Sequence, residues 1–238
     1  MTHPDNVLRS YLDFFMFLIP SIPSLYNNLL LSMPPNYERI IDRIMIHIWG
    51  NTIMNIVAMV GSNRNGAYNL QLAKMMQDRY AGKLDIEILA IDQLPMYDEG
   101  DELQDPKIVS EIGDKINQSD GILFVTPEHN ASIPALLKNA IDWFSRIDKV
   151  MPGKPAMVVG ASKDAMGTVK AQLQLQQILN SPDISVLVLP GHEVYVGRVH
   201  EKMKNGQVTD QPTLDLIDTS VEQFIQWIRK NVFSEALY

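Results

Sequence analysis

Apolar and polar residues alternate in a regular order from Met54 onward, as short apolar runs that are each followed by a segment with helical spacing. The first run, Met54–Val60, is rich in β-branched residues and is bounded by Gly61, which predicts a buried β-strand. Similar runs follow it along the chain. The predicted strands are Met54–Val60, Leu84–Ala90, Gly121–Thr126, Pro155–Val159 and Ile184–Leu189.

Between and after these runs, apolar side chains recur every three or four residues, which is the spacing of one helix face. Asp105 as N-cap and Pro106 as the first helical residue predict the start of the second helix, and Pro134 predicts the start of the third. The predicted helix faces are Leu72, Met75, Met76 and Tyr80; Ile108, Ile112 and Ile116; Leu137, Ala140, Ile141 and Phe144; the segment Gln172–Leu179; and Leu214, Ile217, Val221, Phe224 and Ile228.

Strand and helix thus alternate along the chain, which is typical of a parallel sheet covered by helices on both faces. The pattern predicts an α/β fold with three layers, α/β/α, around a five-stranded parallel sheet. In such sheets ligands bind beyond the carboxyl ends of the strands, where the strand order reverses. We therefore expect a site in the loops after the first, third and fourth strands.

Residues 1–53 differ from the rest of the chain, because they contain no Ala, Lys or Gln. Their most apolar stretch, Phe14–Pro20, is too short to span a bilayer, and the segment lacks the features of a signal peptide. We divide the chain into an N-terminal extension, residues 1–53, and a domain, residues 54–238. Three interpretations of the extension stay open: an amphipathic arm that binds a membrane or a partner, a helical extension packed on the domain, or a stretch ahead of the native start, which we favour.

The net charge is −8, from 28 acidic and 20 basic residues. A nucleic-acid-binding surface requires clustered basic residues, so we expect no nucleic-acid partner. The chain contains no cysteine, which excludes disulfides, thiolate nucleophiles and cysteine-ligated metals. These features fit a reducing compartment, and we expect a cytoplasmic protein with no membrane span and no metal site.

The loop after the first predicted strand, residues 61–69, is rich in small and polar side chains. Its backbone N–H groups and the dipole of the following helix favour an anion. Ser62 and Asn69 offer hydrogen bonds, and Arg64 offers a planar guanidinium suited to phosphate. By itself, such a loop could equally be a turn that caps a helix. It lacks the Gly-Lys-Ser/Thr ending of a P-loop and the three glycines of a dinucleotide-binding loop, and Asp92 comes too late for a ribose-binding acid.

The loop after the third predicted strand runs from Thr126 to Pro134 and is tight and polar. Its backbone groups could hold a flat heteroaromatic ring at the edge of the sheet, with a side chain stacked on one face. His129 and Asn130 are the candidates for these contacts. The histidines outside this loop are not taken as candidates: His3, His47, His192 and His200.

These two loops carry the motifs of a known family. Residues 54–231 resemble the NADPH-dependent FMN reductases, a flavodoxin-like family of quinone, azo-dye and chromate reductases. The family motif Gly-Ser-x-Arg-x-x-Ser-x-Asn is matched at Gly61, Ser62, Arg64 and Asn69. The family motif Pro-Glu-Tyr-Asn, followed by Ser-x-Pro and Leu-Lys-Asn-Ala-Ile-Asp-Trp, is matched at Pro127, Glu128, Asn130, Ser132, Pro134 and Leu137–Trp143.

The sequence departs from the family motifs at two positions. Ala67 replaces the serine of the first motif, which removes a hydroxyl but keeps the backbone N–H. One hydrogen bond of about 0.5–1.5 kcal/mol is the expected loss, so FMN binding should survive. His129 replaces the tyrosine of the second motif, so a smaller and titratable ring is expected in the substrate pocket.

The resemblance implies an enzyme that passes hydride from NADPH or NADH through bound FMN to a quinone, azo or similar small-molecule acceptor. It implies no catalytic acid or base from the protein, because the flavin carries the chemistry. It also implies a homodimer or homotetramer. The implied cofactor-binding residues are Ser62, Arg64, Ala67, Tyr68 and Asn69 in the first loop, Pro127, Glu128 (through its backbone), His129 and Asn130 in the second, and Ser162 at the end of the fourth strand.

Two other classes of protein share this fold. A flavodoxin-type electron carrier without NAD(P)H activity has a phosphate loop rich in Thr and Ser without Arg, and it lacks the Leu-Lys-Asn-Ala-Ile-Asp-Trp helix. A phospho-acceptor signalling domain requires an Asp at the end of the third strand, where Thr126 stands. Of these two classes, the flavodoxin-type electron carrier is kept as the alternative function, and the signalling domain is not.

Overall fold

The computed structural model of the chain describes residues 53–62, 64–101, 106–147 and 149–236. Residues 1–52 lie outside this part, and with them almost all of the expected N-terminal extension. The strands are β1 (Met54–Val60), β2 (Leu84–Ile88), β3 (Gly121–Val125), β4 (Pro155–Ala161), β5 (Leu187–Val188), β6 (Val194–Val196), β7 (Met203–Lys204) and β8 (Gln207–Val208). The α-helices are α1 (Tyr68–Arg79), α2 (Lys107–Gln118), α3 (Ala135–Arg146), α4 (Val169–Leu179), α5 (Val199–Lys202) and α6 (Gln211–Ala236), and short 3-10 helices lie at Ile91–Gln93 and Glu99–Asp101.

The main sheet has the strand order β2-β1-β3-β4-β5, and all of these pairings are parallel. This is the strand order of flavodoxin-like folds, so the predicted fold class is confirmed. The order reverses between β1 and β3, and ligands of such folds bind at the carboxyl ends of the strands beside that reversal. The strands β7 and β8 form a separate antiparallel hairpin.

The edge of the sheet beside β4 differs from the prediction. The run Ile184–Leu189 forms only a two-residue strand, which pairs with the first two residues of β4. Pro190 lacks a backbone donor and Gly191 has a φ of +73°, so the chain turns away from the sheet there. It returns as β6, which pairs with Val159–Ala161 at the other end of β4. The fifth strand is therefore divided into two short segments.

The start of α2 also differs from the prediction. Pro106 has an extended ψ of 126° and is the N-cap instead of the first helical residue, and Asp105 lies outside the described residues. The buried face contains Val109 instead of Ile108, together with Ile112 and Ile116. A strict spacing of four residues drifts around a helix with 3.6 residues per turn, whereas spacings of three and then four keep the side chains on one face.

Smaller differences concern the ends of elements and one loop. β2 and β3 end slightly before the predicted residues, β4 continues to Ala161, and α4 begins at Val169. The polar loop expected after Leu189 contains β6, α5 and the β7–β8 hairpin. These elements are two to four residues long, too short to produce a periodic pattern in the sequence.

Both faces of the sheet are covered by helices. α2, α3 and α4 pack on one face, where Phe124, Trp143 and Phe144 are among the largest fully buried side chains. α1 and α6 pack on the other face. The predicted faces of α1, α3 and α6 are buried, except for Leu214, which is partly exposed. No helix in the described segments is long and apolar enough to cross a membrane.

Polar contacts hold the C-terminal end of α1 against α6. Arg79 donates to the Asp218 carboxylate at 2.7 and 2.5 Å, and the Tyr80 hydroxyl donates to the same carboxylate at 2.6 Å. The hydrogen bonds from Arg79 hold the pKa of Asp218 below its ordinary value, whereas burial raises the pKa of Tyr80. These contacts fix α1 at the end opposite the loop that follows β1.

Candidate functional site

The loops that follow β1, β3 and β4 converge on an open cleft at the carboxyl ends of these strands, with a volume of about 690 Å³. Ligand pockets usually measure about 300–1,000 Å³, so the cleft has room for a molecule of cofactor size. The lining includes the residues expected at the cofactor except Glu128 and Asn130, namely Ser62, Arg64, Ala67, Tyr68, Asn69, Pro127, His129 and Ser162.

The described lining of the cleft contains cationic side chains and no Asp or Glu. Arg64 and Lys163 both line it, and neither forms an ion pair with another described residue. The chain as a whole has a net charge of −8. A local excess of positive charge in an acidic protein favours an anionic ligand.

The loop after β1 leaves the start of α1 open to a ligand. The N–H of Ala67 donates to the carbonyl of Arg64 at 3.0 Å, and Gly66 has a φ of +77°, so the chain turns tightly into the helix. Ala67 is the N-cap of α1 and has no side-chain oxygen that could accept from the first-turn N–H groups. These donors and the positive end of the helix dipole favour binding of an anion.

Asn69 connects the start of α1 to the end of β4. Its side chain is buried; Nδ2 donates to the carbonyl of Ala161 at 2.9 Å, and Oδ1 accepts from the N–H of Ala161 at 2.8 Å. This pair of bonds occupies the amide oxygen and one amide hydrogen. Asn69 lines the cleft, and its side chain joins the start of α1 to the end of β4; its expected contact with a phosphate stays a prediction.

The loop after β3 contains a two-residue hairpin. His129 and Ser132 exchange two backbone hydrogen bonds of 3.0 Å, and the central residues Asn130 and Ala131 have φ angles of +51° and +62°. Positive φ at both central positions is the arrangement of a type I′ turn, in which Asn followed by Gly is preferred. Asn130 therefore suits the turn and is exposed outside the cleft lining, whereas His129 lines the cleft.

Replacing Ala131 with Gly is expected to stabilise the protein by about 0.5–1 kcal/mol, because an alanine Cβ is strained at positive φ and glycine is not. Urea denaturation of both proteins measures the difference. The control is Ala81→Gly, at an exposed position without a positive φ, which we expect to be neutral or destabilising. A loss of stability in Ala131→Gly as large as that in Ala81→Gly would contradict the prediction.

The side chains of Glu128 and Gln174 attach the loop after β3 to α4. The Glu128 carboxylate accepts hydrogen bonds from the backbone N–H groups of Lys170 and Ala171 at 3.0 and 3.2 Å, at the N-terminus of α4. The Ser132 hydroxyl donates to Oε1 of Gln174 farther along the same helix. Glu128 thus caps a helix and is not among the residues that line the cleft, so its expected backbone contact with a ligand stays a prediction.

The loop after β4 brings Ser162 and Lys163 to the cleft. The N–H of Ser162 donates to the carbonyl of Val196 at 3.0 Å, so β6 supports this loop. The ammonium group of Lys163 lies 6.0 Å from the centroid of the Tyr68 ring, within reach of a cation–π interaction. Tyr68 is the first residue of α1, so Lys163 lies near the open end of that helix.

The sequence motifs did not single out Lys163 or the bonds of Glu128 and Gln174. The signal for Lys163 was its position directly after Ser162, at the end of a strand whose loop was expected at the site. The bonds of Glu128 and Gln174 join residues about 42 positions apart and leave no local pattern. Among the residues described, no group of three or more His, Asp or Glu side chains could hold a metal ion.

Comparison with known proteins agrees with this geometry. The family model described as NADPH-dependent FMN reductase matches residues 54–201. A subunit named NADH-dependent flavin reductase subunit 2, from Lactobacillus johnsonii, is 38% identical over 183 residues, which cover 74% of this chain and 98% of the relative. Subunit CrdA of an NADH:(hydroxy)cinnamate reductase from Vibrio ruber is 35% identical over 173 residues, covering 72% of this chain and 86% of the relative.

A solved structure has the same fold. It is FerB, a flavoenzyme NAD(P)H:(acceptor) oxidoreductase from Paracoccus denitrificans, and it is 34% identical to this chain with a TM-score of 0.69. The match covers 75% of this chain and 99% of FerB. The part of the chain that contains the cleft therefore corresponds to nearly the whole length of the solved relative.

Proposed function

Because this chain belongs to the NADPH-dependent FMN reductase family, we propose that it is an oxidoreductase that binds FMN in the cleft and transfers hydride from NADPH or NADH to a small-molecule acceptor. The proposal depends on one observation above all. Three loops, two of which carry the family motifs, converge on a cleft whose described lining contains cations and no carboxylate. A quinone or a related acceptor is the proposed substrate, since relatives include a quinone reductase of Escherichia coli and the flavin reductase subunit.

The start of α1 suits the phosphate group of FMN. Its first-turn N–H groups have no side-chain cap from Ala67, and Arg64 lines the cleft beside them. Ser62, which also lines the cleft, has a hydroxyl that can donate to a phosphate oxygen. These residues would hold the phosphate, with Asn69 fixing the loop through its bonds to Ala161.

The loops after β3 and β4 suit the flavin ring. Pro127, His129 and Ser162 line the cleft and would contact the ring. The Ser132 hydroxyl, in the loop after β3, donates a hydrogen bond to Gln174 of α4. Glu128 would support this wall through its cap on α4. The bound FMN would supply the hydride chemistry between a nicotinamide and a second substrate, and the residues of the cleft would hold and orient it, so no side chain is assigned as acid or base.

The direct test is to purify the full chain, record its visible spectrum, and measure oxidation of NADPH and NADH with a quinone. We expect a flavin spectrum and rapid turnover that depends on the quinone. A protein with bound flavin that does not oxidise NAD(P)H would be an electron carrier of the flavodoxin type. A protein that neither contains nor binds flavin would refute the proposal.

The oligomeric state and the cellular compartment of the protein can be inferred in the same way. We propose a homodimer or homotetramer, because the resemblance implies that the flavin lies near a subunit interface, and light scattering of the purified protein gives the mass. We propose the cytoplasm, because a chain without cysteine suits a reducing compartment. A monomeric mass would contradict the first proposal.

Residues 54–238 are expected to fold and bind FMN without the extension. The support is that Met54 begins β1 directly and that one compact unit spans Gly50–Tyr238. The measurement compares the FMN dissociation constant of residues 54–238 with that of the full chain, and we expect less than a twofold difference. Loss of solubility or of flavin in the shorter protein would make the extension structurally necessary.

Replacing His129 with Tyr is expected to change acceptor preference more than FMN affinity. His129 is an exposed side chain of the cleft lining, at the position where the family motif has Tyr. A larger ring changes the shape of the space beside the flavin and leaves the phosphate end unchanged. The measurement is kcat/KM for a small and a bulky quinone, with the FMN dissociation constant as control. An unchanged ratio between the two quinones would contradict a substrate contact of His129.

A further inference from the structure

We propose that Lys163 is a second cationic contact for the 5′-phosphate of FMN, beside Arg64. This inference rests on the proposed function, because it assigns a further residue to the same cofactor cleft. Lys163 does not belong to the motif of the first loop; it follows β4 and lines the cleft from a different loop. It would make FMN binding depend on charge contributed by two separate loops.

The backbone around Lys163 is fixed on both sides. Before it, Ala161 is bound by the Asn69 side chain through hydrogen bonds of 2.9 and 2.8 Å, which hold the end of β4 against the first turn of α1. After it, the N–H of Asp164 donates to the Ser162 hydroxyl at 3.2 Å, and the carbonyl of Asp164 accepts from the N–H of Arg198 at 3.0 Å. The position of Lys163 near α1 is therefore set by the surrounding structure.

The side chain of Lys163 extends toward the start of α1. Its ammonium group lies 6.0 Å from the centroid of the Tyr68 ring, and Tyr68 is the first residue of that helix. Lys163 is exposed, and the aromatic ring attracts its ammonium group. The cation thus lies against the side chain of the first residue of α1, the helix whose first-turn N–H groups have no cap from Ala67.

The charges at this end of the cleft favour binding of an anion. Lys163, Arg64 and the positive end of the α1 dipole are all positive, and no carboxylate belongs to the described lining. Neither side chain forms an ion pair within the described ranges. A phosphate monoester carries about −1.5 to −2 charges at pH 7, so it can balance both side chains.

FMN is favoured over NADPH as the source of this phosphate. The 5′-phosphate of FMN suits the start of α1, where the helix N–H groups and Arg64 line the cleft, and the Lys163 ammonium lies against Tyr68, the first residue of that helix. A site for the 2′-phosphate of NADPH would have to lie apart from the FMN phosphate, because two dianions repel each other. The experiment separates the two sources.

The test uses flavin-free, full-length wild type and the variants Lys163→Gln, Lys163→Arg and Lys74→Gln, each titrated with FMN and with riboflavin. Lys74→Gln is the matched control, since Lys74 is an exposed lysine on α1 outside the cleft lining. We expect Lys163→Gln to weaken FMN binding about tenfold, the loss of one charge-assisted contact, and riboflavin binding less than twofold. Lys163→Arg should stay within about threefold of wild type because it keeps the charge.

Salt dependence and nicotinamide kinetics complete the test. FMN binding to Lys163→Gln should weaken less steeply with added salt than binding to wild type or Lys74→Gln, because one ionic contact has been removed. Equal FMN affinity in wild type and Lys163→Gln would overturn the inference, as would an equal loss for riboflavin. A higher KM for NADPH relative to NADH, with FMN affinity unchanged, would assign the lysine to the nicotinamide cofactor instead. If wild type bound neither flavin, the proposed function itself would fail.

Discussion

Replacing Trp143 with Ala is expected to lower the free energy of unfolding by about 4 kcal/mol, within the range of about 3–5 kcal/mol for loss of a fully buried Trp. Its side chain, on α3, is 0% exposed and belongs to the hydrophobic core on that side of the sheet. The indole Nε1 donates to the carbonyl of Pro95 at 2.8 Å, and the Tyr97 ring contacts the indole edge to face, with ring centroids 5.2 Å apart. The substitution removes all of these contacts and leaves a cavity.

Urea denaturation of the flavin-free protein is the appropriate measurement, because a ligand that binds only the folded state would mask part of the loss. Trp143→Phe should cost about 1–2 kcal/mol, since it keeps an aromatic ring but removes the indole donor. Met96→Ala is the surface control: Met96 lies in the same loop as Pro95 and is 75% exposed, so its loss should stay within about 0.5 kcal/mol. A loss under 1 kcal/mol in Trp143→Ala would show that the loop and α3 are stable without the indole.

The arrangement of this fold was largely predictable because its strands are buried on both faces and its helices are amphipathic. β1 was predicted with its observed bounds, and the apolar stripe of α3 is buried as expected. The predictions failed where local pattern carries little information. Ile184–Leu189 is apolar enough for a full strand, but the N–H groups of Ile184 and Ser185 bond back to Ser181 in a turn, so only Leu187–Val188 pairs and β6 completes the sheet edge.

The candidate site was predictable to the extent that it is made of short loops at strand ends. The loops after β1 and β3 line the cleft as expected, because parallel strands bring their carboxyl ends to one edge of the sheet. What the sequence could not show is the contacts between loops. Glu128 caps α4 and Asn69 binds Ala161, and both contacts join residues far apart in the chain. Asn130 was predicted to contact the ligand. In the structure it occupies a left-handed position of the turn after β3, which accounts for an asparagine there.

Replacing Arg64 with Ala is expected to weaken FMN binding by roughly ten- to hundredfold while changing riboflavin binding little. A guanidinium can donate charge-assisted hydrogen bonds to phosphate, each worth about 1.5–3 kcal/mol, and that loss corresponds to this change in the dissociation constant. Arg64 lines the cleft beside the uncapped start of α1 and has no ion-pair partner in the described segments. Riboflavin has no phosphate and therefore should not sense the loss.

In the alternative, Arg64, which is solvent-exposed, lies outside the phosphate site and contributes at most about 1 kcal/mol to the free energy of FMN binding. Titration of FMN and riboflavin into the flavin-free wild type, Arg64→Ala and Arg64→Lys distinguishes the two. Arg64→Lys should recover only part of the FMN affinity, because an ammonium keeps the charge but cannot offer two parallel donors. Arg146→Ala provides a matched control, since Arg146 is an exposed arginine at the end of α3 outside the cleft lining. Equal FMN affinity in wild type and Arg64→Ala would exclude Arg64 from the phosphate site.

The double variant Arg64→Ala, Lys163→Gln tests whether the two side chains act together. A fold-loss of FMN affinity smaller than the product of the two single fold-losses would show that both side chains act on one phosphate.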